Sequence, residues 1–426
     1  MIPLSGILIF LSFISTIYAY FFDNEVLIYS GLLAWSAIAI LFTLLSNKKM
    51  IIILLLLSLS AFIYSYSNNY EINFIKVFTV NQYLLILLIG VGFLRLIATP
   101  KKDKSIKYPK GKQAFIKTYL GVHLFGSVIN LSSLILVADK FYKKAPLSNT
   151  QMVLLTRAFS SDAYWSPFFV AFAAALTYAP NLNPSTILSS GLILALFAFV
   201  FTYYEVINDK SFKLEEFSGY PVAFETLILP FSLAILVLLT NHYFPNIKVI
   251  VLIASFSFLL TLIVLPLKKG FKKSKEKLVN HILDELPKMR LEASLFLVAG
   301  MFGISISTIL LGMNLELPFE TFDWIIASLL LIVFILLSFI GIHPIITIAI
   351  IGDFFSSVNH TLLAITFLMA WSTTVSTSPF SGLNLTIVAR YKFPAIEIFK
   401  LNIKYVLKMY IVCVLCLFIL SKYILM

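Results

Sequence analysis

Apolar runs about as long as a bilayer is thick recur along this chain, with short loops between them. That pattern constrains the fold more than any other feature of the sequence. A helix needs ~20 apolar residues to cross the hydrocarbon core. Runs of this kind lie at 4–21, 26–46, 50–66, 80–98, 186–206, 222–241, 247–267, 290–312 and 402–424. Two more segments, 151–178 and 359–389, can each cross once but carry polar breaks. Only 12% of residues are charged and 60% are hydrophobic, whereas a soluble domain carries about 25% charge. The expected class is an all-α polytopic membrane protein, with no length left over for a separate soluble domain. Residues 4–21 read as a span and not as a signal peptide: no positive region precedes them, and acidic Asp23 and Glu25 follow without a small-residue cleavage site.

The formal net charge of +12 would raise nucleic-acid binding in a soluble protein. Here the lysines cluster in a few loops between spans, so they are read as setting orientation and meeting anionic headgroups. Those loops hold Lys48 and Lys49; Lys101, Lys102, Lys104, Lys107, Lys110, Lys112 and Lys117; Lys268 through Arg290; and Arg390 with Lys392. All are expected to be cytoplasmic. The loops with Asp23 and Glu25, with Glu71, and with Glu316 and Glu320 are expected outside. This implies an inner-membrane, multi-pass protein with its N-terminus cytoplasmic and its C-terminus extracytoplasmic. Cys413 and Cys416 mimic a redox spacing but lie in an apolar span, so they read as packing residues. No metal-ligand cluster is legible and the histidines are scattered.

Orientation also decides the nature of residues 113–140. A single crossing there would place Lys140, Lys143, Lys144 and the whole 268–290 cluster outside. A re-entrant hairpin with its tip at Gly126–Asn130 keeps every basic loop on one side. Residues 323–354, broken at Gly341-Ile342-His343-Pro344, are too long for one straight span and read as a second hairpin entering from the other face. A broken span follows each hairpin, at Ser160–Pro167 and at Ser372–Pro379. The landmarks recur in one order: a glycine (Gly126, Gly341), an Asp (Asp139, Asp353), then Ser-Pro-Phe (Ser166-Pro167-Phe168, Ser378-Pro379-Phe380). The glycine and the serine are 40 residues apart in one copy and 37 in the other. The expected domain plan is a lone first span (1–25), a first repeat (26–206), a linker (207–221) and a second repeat of opposite orientation (222–426). That makes eleven spans and two hairpins, and paired breaks in inverted halves point to a transporter site near the midplane. Residues 274–286, charged on one side and apolar on the other, read either as an interfacial helix or as an ordinary solvated one.

In this topology the chain resembles the ion transporter superfamily, which includes divalent-anion/sodium symporters, arsenite permeases and some sodium/proton antiporters. The resemblance spans 26–424 and is carried by inverted halves, opposed hairpins and a broken helix after each. The symporters carry Ser-Asn-Thr at both tips; here the tips read Ser127-Val128-Ile129-Asn130 and Ile342-His343-Pro344. The resemblance implies a homodimer built on scaffold domains, with transport domains that move as elevators.

Candidate site residues follow from charge and hydroxyl content in the breaks. Arg157 and Asp162 are the ionisable residues of the first broken span, and a charge at membrane depth is a site hypothesis by default. Arg157 can bind a carboxylate or oxyanion bidentately; alternatively it pairs with Asp162 or reaches the cytoplasmic edge. Ser160, Ser161 and Ser166 in the same break, and Thr374, Ser376, Thr377 and Ser378 in the second, offer hydroxyls to an anion or simply satisfy broken backbone. Ser127 and Asn130 at the first tip either ligate or cap the hairpin arms. His343 at the second tip either couples protons or holds the turn before Pro344. Asn130, Asp162, Thr374 and Ser376 are the candidate ligands of a coupling sodium ion; no other cofactor is expected. Trp165 and Trp371 flank the breaks. Asp139 and Asp353 are expected near the surface, ~16 Å from their tips at 1.5 Å per residue.

The leading expectation is a secondary active transporter of a small organic or inorganic anion, driven by sodium or protons. The first rival is a sodium/proton antiporter on the same fold with Asp162 as its cation site. An intramembrane enzyme would need converging carboxylates or histidines, and the spans show no acidic pair. A passive channel stays open.

Overall fold

A computed structural model of the chain describes residues 1–45, 48–98, 110–220, 228–352 and 354–425. Those residues form α1 (Ile2–Phe21), α2 (Val26–Leu41), α3 (Lys48–Ser67), α4 (Phe74–Thr79) and α5 (Gln82–Ala98). Next come α6 (Gly111–Ile129), α7 (Leu131–Tyr142), α8 (Asn149–Ser160), α9 (Val170–Tyr178) and α10 (Pro184–Asn208). The second half holds α11 (Ile228–Tyr243), α12 (Val249–Lys269), α13 (Phe271–Asn280), α14 (Arg290–Gly312) and α15 (Trp324–Phe339). Last are α16 (Pro344–Gly352), α17 (His360–Thr377), α18 (Gly382–Tyr391) and α19 (Ala395–Ile419). Among the described residues nine helical runs are long and apolar enough to cross a membrane, which fits a multi-pass all-α membrane protein. Of the eleven expected spans, 151–178 is divided between α8 and α9, and 222–241 is described only from residue 228.

The chain separates into two compact units, each drawing on both halves of the sequence. The first unit holds Met1–Thr99, Phe231–Pro318 and Ile345–Ser357; the second holds Pro100–Pro230, Phe319–Pro344 and Val358–Met426.

In the first unit the membrane supplies no hydrophobic force between helices, so small residues and hydrogen bonds join them. Ser12 on α1, Ser30 on α2 and Gln82 on α5 form one buried cluster, with Ser30 Oγ 2.9 Å from the Ser12 carbonyl and 3.2 Å from Gln82 Oε1. Residues 4–21, expected to precede both repeats, are bonded into this unit. Asn81 Nδ2 donates to the Phe296 carbonyl of α14 (2.6 Å). Gly303 meets the backbone of Ala349, which lets α16 lie close to α14. Over 274–286 most of α13 is exposed, and the chain runs on through 281–289 into α14. His281, Leu286, Pro287 and Met289 are buried there. The basic loops meet at one end of this unit, where Arg290 donates to the Leu44 carbonyl and Lys268 to that of Ile97.

The second unit holds both candidate breaks. At one end the Gly111 amide donates to the Phe217 carbonyl (2.9 Å), and the Thr150 hydroxyl donates to the Phe212 carbonyl. Phe212 and Phe217 are five residues apart, at most ~18 Å of extended chain, so α6 and α8 start at the same end. Asp139 and Arg390 bond there as well. At the other end the Asn183 amide donates to Thr361 Oγ1 (2.8 Å), and Trp324 packs on Phe418. Two of the expected breaks are shorter in the structure. Ser372 through Thr377 stay helical, and the second break is Ser378–Ser381; α6 stays helical to Ile129 and breaks only at Asn130. Serine and threonine hydroxyls bond the preceding turn and so keep the helix intact. Asp353, Lys101, Lys102, Lys104, Lys107 and residues 222–227 fall outside the described residues.

Candidate functional site

The two breaks are built the same way. Proline has no N–H to continue a helix, so the chain leaves α-geometry around Pro167 and Pro379. The preceding serine turns inward. Ser166 Oγ donates to the carbonyl of Ser127, and the Phe168 amide donates back to it. Ser378 Oγ donates to the carbonyl of Ser338 (2.6 Å), and the Phe380 amide donates back to it. Three residues beyond each carbonyl lies a residue with positive φ: Asn130 at 51° and Gly341 at 101°. Asparagine tolerates that region better than most side chains and glycine enters it freely. In these contacts Ser127 plays the part of Ser338 and Asn130 that of Gly341, whereas the spacing in the sequence set Gly126 against Gly341. The two broken segments also touch: Ser372 Oγ donates to the carbonyl of Ser160 (2.8 Å).

Gly126 has a different role. A Cβ there would overlap Asp162 Oδ2, so the glycine makes room for the carboxylate. Asp162 sits in the 3₁₀ turn Ser161–Tyr164 and is 0% exposed. Among the described residues neither of its oxygens receives a directed hydrogen bond. Its nearest charged or titratable neighbour is His123 on α6, with Nδ1 at 2.8 Å from Oδ1. His123 Nδ1 also lies 3.1 Å from the Ala158 carbonyl and 3.0 Å from Ser161 Oγ. Trp165 Nε1 donates to His123 Nε2 (3.1 Å).

Arg157 is not the partner of Asp162. Its Nε donates to Asn402 Oδ1 (2.9 Å), one terminal nitrogen to Glu205 Oε2 (3.2 Å), and the other to Glu205 Oε1 (3.0 Å) and the Leu401 carbonyl (2.7 Å). Four of the five guanidinium protons are thereby engaged, and the group lies over the Tyr405 ring at 4.4 Å. Asn402 completes the clamp, with Nδ2 donating to Thr156 Oγ1 and to the Ser376 carbonyl. The arginine ties α8, α10 and α19 together, Asn402 adds α17, and the guanidinium presents almost nothing to a solute.

The remaining candidates divide cleanly. Thr374 bonds the Trp371 carbonyl and Ser376 that of Thr373, with Ser376 and Thr377 hydroxyls 3.1 Å apart. Ser160 bonds the Arg157 carbonyl, Ser161 that of Ala158 and Ser127 that of Leu124. Asn130 Nδ2 donates to the Phe168 carbonyl (3.3 Å), while its Oδ1 is buried without a partner among the described residues. His343 packs edge-on to Trp371 (5.2 Å) and, with Gly341, Thr374, Ser378 and Ser381, lines a cavity of about 10 Å³. That is room for roughly one water and not for an organic anion. Asp139, expected at the surface, is bound by Arg390 and Tyr391.

His123, Glu205 and Asn402 carry this geometry and were not among the sequence candidates. A histidine inside an apolar hairpin arm was itself a signal. Glu205, in the last turn of a span, reads from sequence as an ordinary interfacial residue. No family model matches the chain, and no curated protein matches it in sequence.

Proposed function

We propose that the chain is a secondary active transporter of inverted-repeat architecture, coupled to a proton or a sodium ion at Asp162. One observation carries this reading: a fully buried carboxylate whose one close titratable partner is His123, with Nδ1 at 2.8 Å, while the nearby guanidinium is committed to Glu205. A buried carboxylate without a counter-charge costs several kcal/mol, so the group needs a proton, on itself or on His123, or a bound cation to neutralise it. That is the requirement for a site at which the two ions exchange. The anion-carrier reading took Arg157 and the hydroxyls of Ser376 to Ser378 as cargo ligands, and the Arg157 donors and the Ser376 and Ser378 hydroxyls are engaged elsewhere. The sodium/proton antiporter is therefore favoured.

Three features support the architecture. The break contacts occur twice with one pattern, at Ser166/Ser127 and Ser378/Ser338. The shared end of α6 and α8 suits a segment 111–149 that enters the bilayer and returns as a hairpin. The boundary between units falls at matching places in both halves, after α5 and after α14. In this reading the first unit is the scaffold through which two copies pair, and the second carries the ion. Basic residues gathered at one end of each unit support an inner-membrane orientation with that end cytoplasmic. The resemblance to the ion transporter superfamily stands on these features alone.

The test is transport by purified protein in proteoliposomes, read as sodium-driven change of internal pH. Asp162→Asn is expected to abolish the response while leaving thermal unfolding near that of the parent. A folded Asp162→Asn variant that still exchanges sodium for protons would end this proposal.

A further inference from the structure

In the first unit α12 and α13 meet at a sharp corner. Gly270 takes φ 76°, a region that glycine enters freely, and it separates Lys269 at the end of α12 from Phe271 at the start of α13. Ser274 Oγ donates back to the Gly270 carbonyl (2.7 Å). Ser274 and His281 are buried, and the His281 ring lies 4.6 Å from that of Phe93 on α5. Two turns apart, these residues mark the stripe that faces the protein. A Cβ on Gly6 would overlap the Ile282 carbonyl, so α1 holds the chain just beyond α13.

The other faces of α13 are bare. Phe271 is 86% exposed and Leu267, before the corner, 81%. Phe271 and Leu278 share a stripe two turns long. Lys275 falls on the same stripe, where its stem can cover apolar surface while the ammonium reaches outward. Lys269, Lys272, Lys273, Lys275 and Lys277 are all exposed, with Glu276 the one acidic residue among them. Among the described residues none of the five lysines joins an ion pair. Lys269 lies within side-chain hydrogen-bonding reach of Lys277, with Lys268 close by. Like charges so near repel, and an anion set against both removes the repulsion.

We propose that α13 is an interfacial helix that binds the headgroups of anionic lipids: Phe271 and Leu278 enter the acyl boundary, while Lys269, Lys272, Lys273 and Lys277 hold phosphates. Depth favours lipid over a soluble partner. The apolar run Phe271–Gly312 is 42 residues long, about twice what one crossing needs, so its first half lies at or beyond the headgroups. A helix with one apolar face and a lysine-rich polar face lies in that plane, and clusters of roughly 4–8 basic residues beside a span collect anionic lipid. In water the Phe271 stripe would stay uncovered; at the bilayer boundary it is covered and the lysines meet opposite charge. The assignment holds whatever ion the second unit carries.

The test uses the full chain with Phe271→Trp in lipid nanodiscs, its emission taken as the difference from the parent. Discs of phosphatidylcholine alone are compared with discs in which phosphatidylglycerol, with or without brominated acyl chains, replaces part of it. The indole is expected to shift to the blue and to be quenched by the bromines as phosphatidylglycerol rises. One lysine near an anionic surface is worth about fivefold in affinity. Lys272→Gln/Lys273→Gln/Lys277→Gln on the same background is therefore expected to raise the phosphatidylglycerol fraction at half-shift by about tenfold or more. Equal emission in the two kinds of disc, or a shift that the lysine variant leaves in place, overturns the proposal. So does the same shift on adding inorganic phosphate to phosphatidylcholine discs, which marks a free-anion site. A shift without bromine quenching marks a second copy of the chain as the occupant and refutes it too. If Phe271→Trp does not fold, native mass spectrometry of the parent and of the lysine variant decides the matter. Fewer bound phosphatidylglycerol molecules are expected on the variant, and equal numbers refute the assignment.

Discussion

Removing Glu205 tests whether Arg157 serves structure or cargo. In Glu205→Ala the guanidinium keeps Asn402 and Leu401 but loses both carboxylate bonds, leaving a buried cation without a counter-charge. Breaking a buried pair costs ~3–5 kcal/mol. The lower end applies here, because the Glu205 side chain is 18% exposed and some water reaches the site. At roughly 2–4 °C per kcal/mol on the soluble-protein scale, a loss of ~3 kcal/mol lowers Tm by ~6–12 °C. Replacing both partners, as Arg157→Met/Glu205→Met, removes the stranded charge. What is left is the unmet Asn402 and Leu401 oxygens, ~1 kcal/mol each as lost hydrogen bonds. The double variant is thus expected to be more stable than Glu205→Ala, a non-additivity that marks a coupled pair. Thermal unfolding in detergent, followed with a thiol-reactive fluorophore, reads this directly, since Cys413 is buried and Cys416 partly so. The same double variant should still exchange sodium for protons. A double variant that is stable but inactive would refute the reasoning and return Arg157 to the role of cargo ligand.

Two further outcomes follow from the geometry. Gly126→Ala favours the helix by up to ~1 kcal/mol but drives a methyl into Asp162 Oδ2. It is expected to weaken apparent sodium affinity by about tenfold, ~1.4 kcal/mol, with little change in Tm; unchanged affinity would show that the carboxylate position does not matter. Ser166→Ala and Ser378→Ala each strip a buried carbonyl of its donor, so each should lower stability by ~1–3 kcal/mol. A shift in only one of them, measured by thermal unfolding, would argue against equivalent breaks.

Local chemistry made much of this chain legible in advance. Span lengths follow from hydropathy, because hydrocarbon thickness sets the apolar run. The breaks at Ser166-Pro167 and Ser378-Pro379 follow from proline, whose missing N–H is a property of one residue. The second break was placed too early because serine and threonine look like breakers, whereas in Ser372–Thr377 their hydroxyls serve their own helix. What lay beyond the sequence was pairing. Arg157 and Asp162, five positions apart, invited a mutual salt bridge. Instead Arg157 bonds Glu205, 48 residues on, and Asn402, 245 residues on, and Asp162 faces His123 on another helix. Spacing along one helix fixes which side chains share a face, but which charges meet across helices depends on how those helices pack. At a buried site that meeting decides whether a charge holds the fold together or stays free to bind an ion.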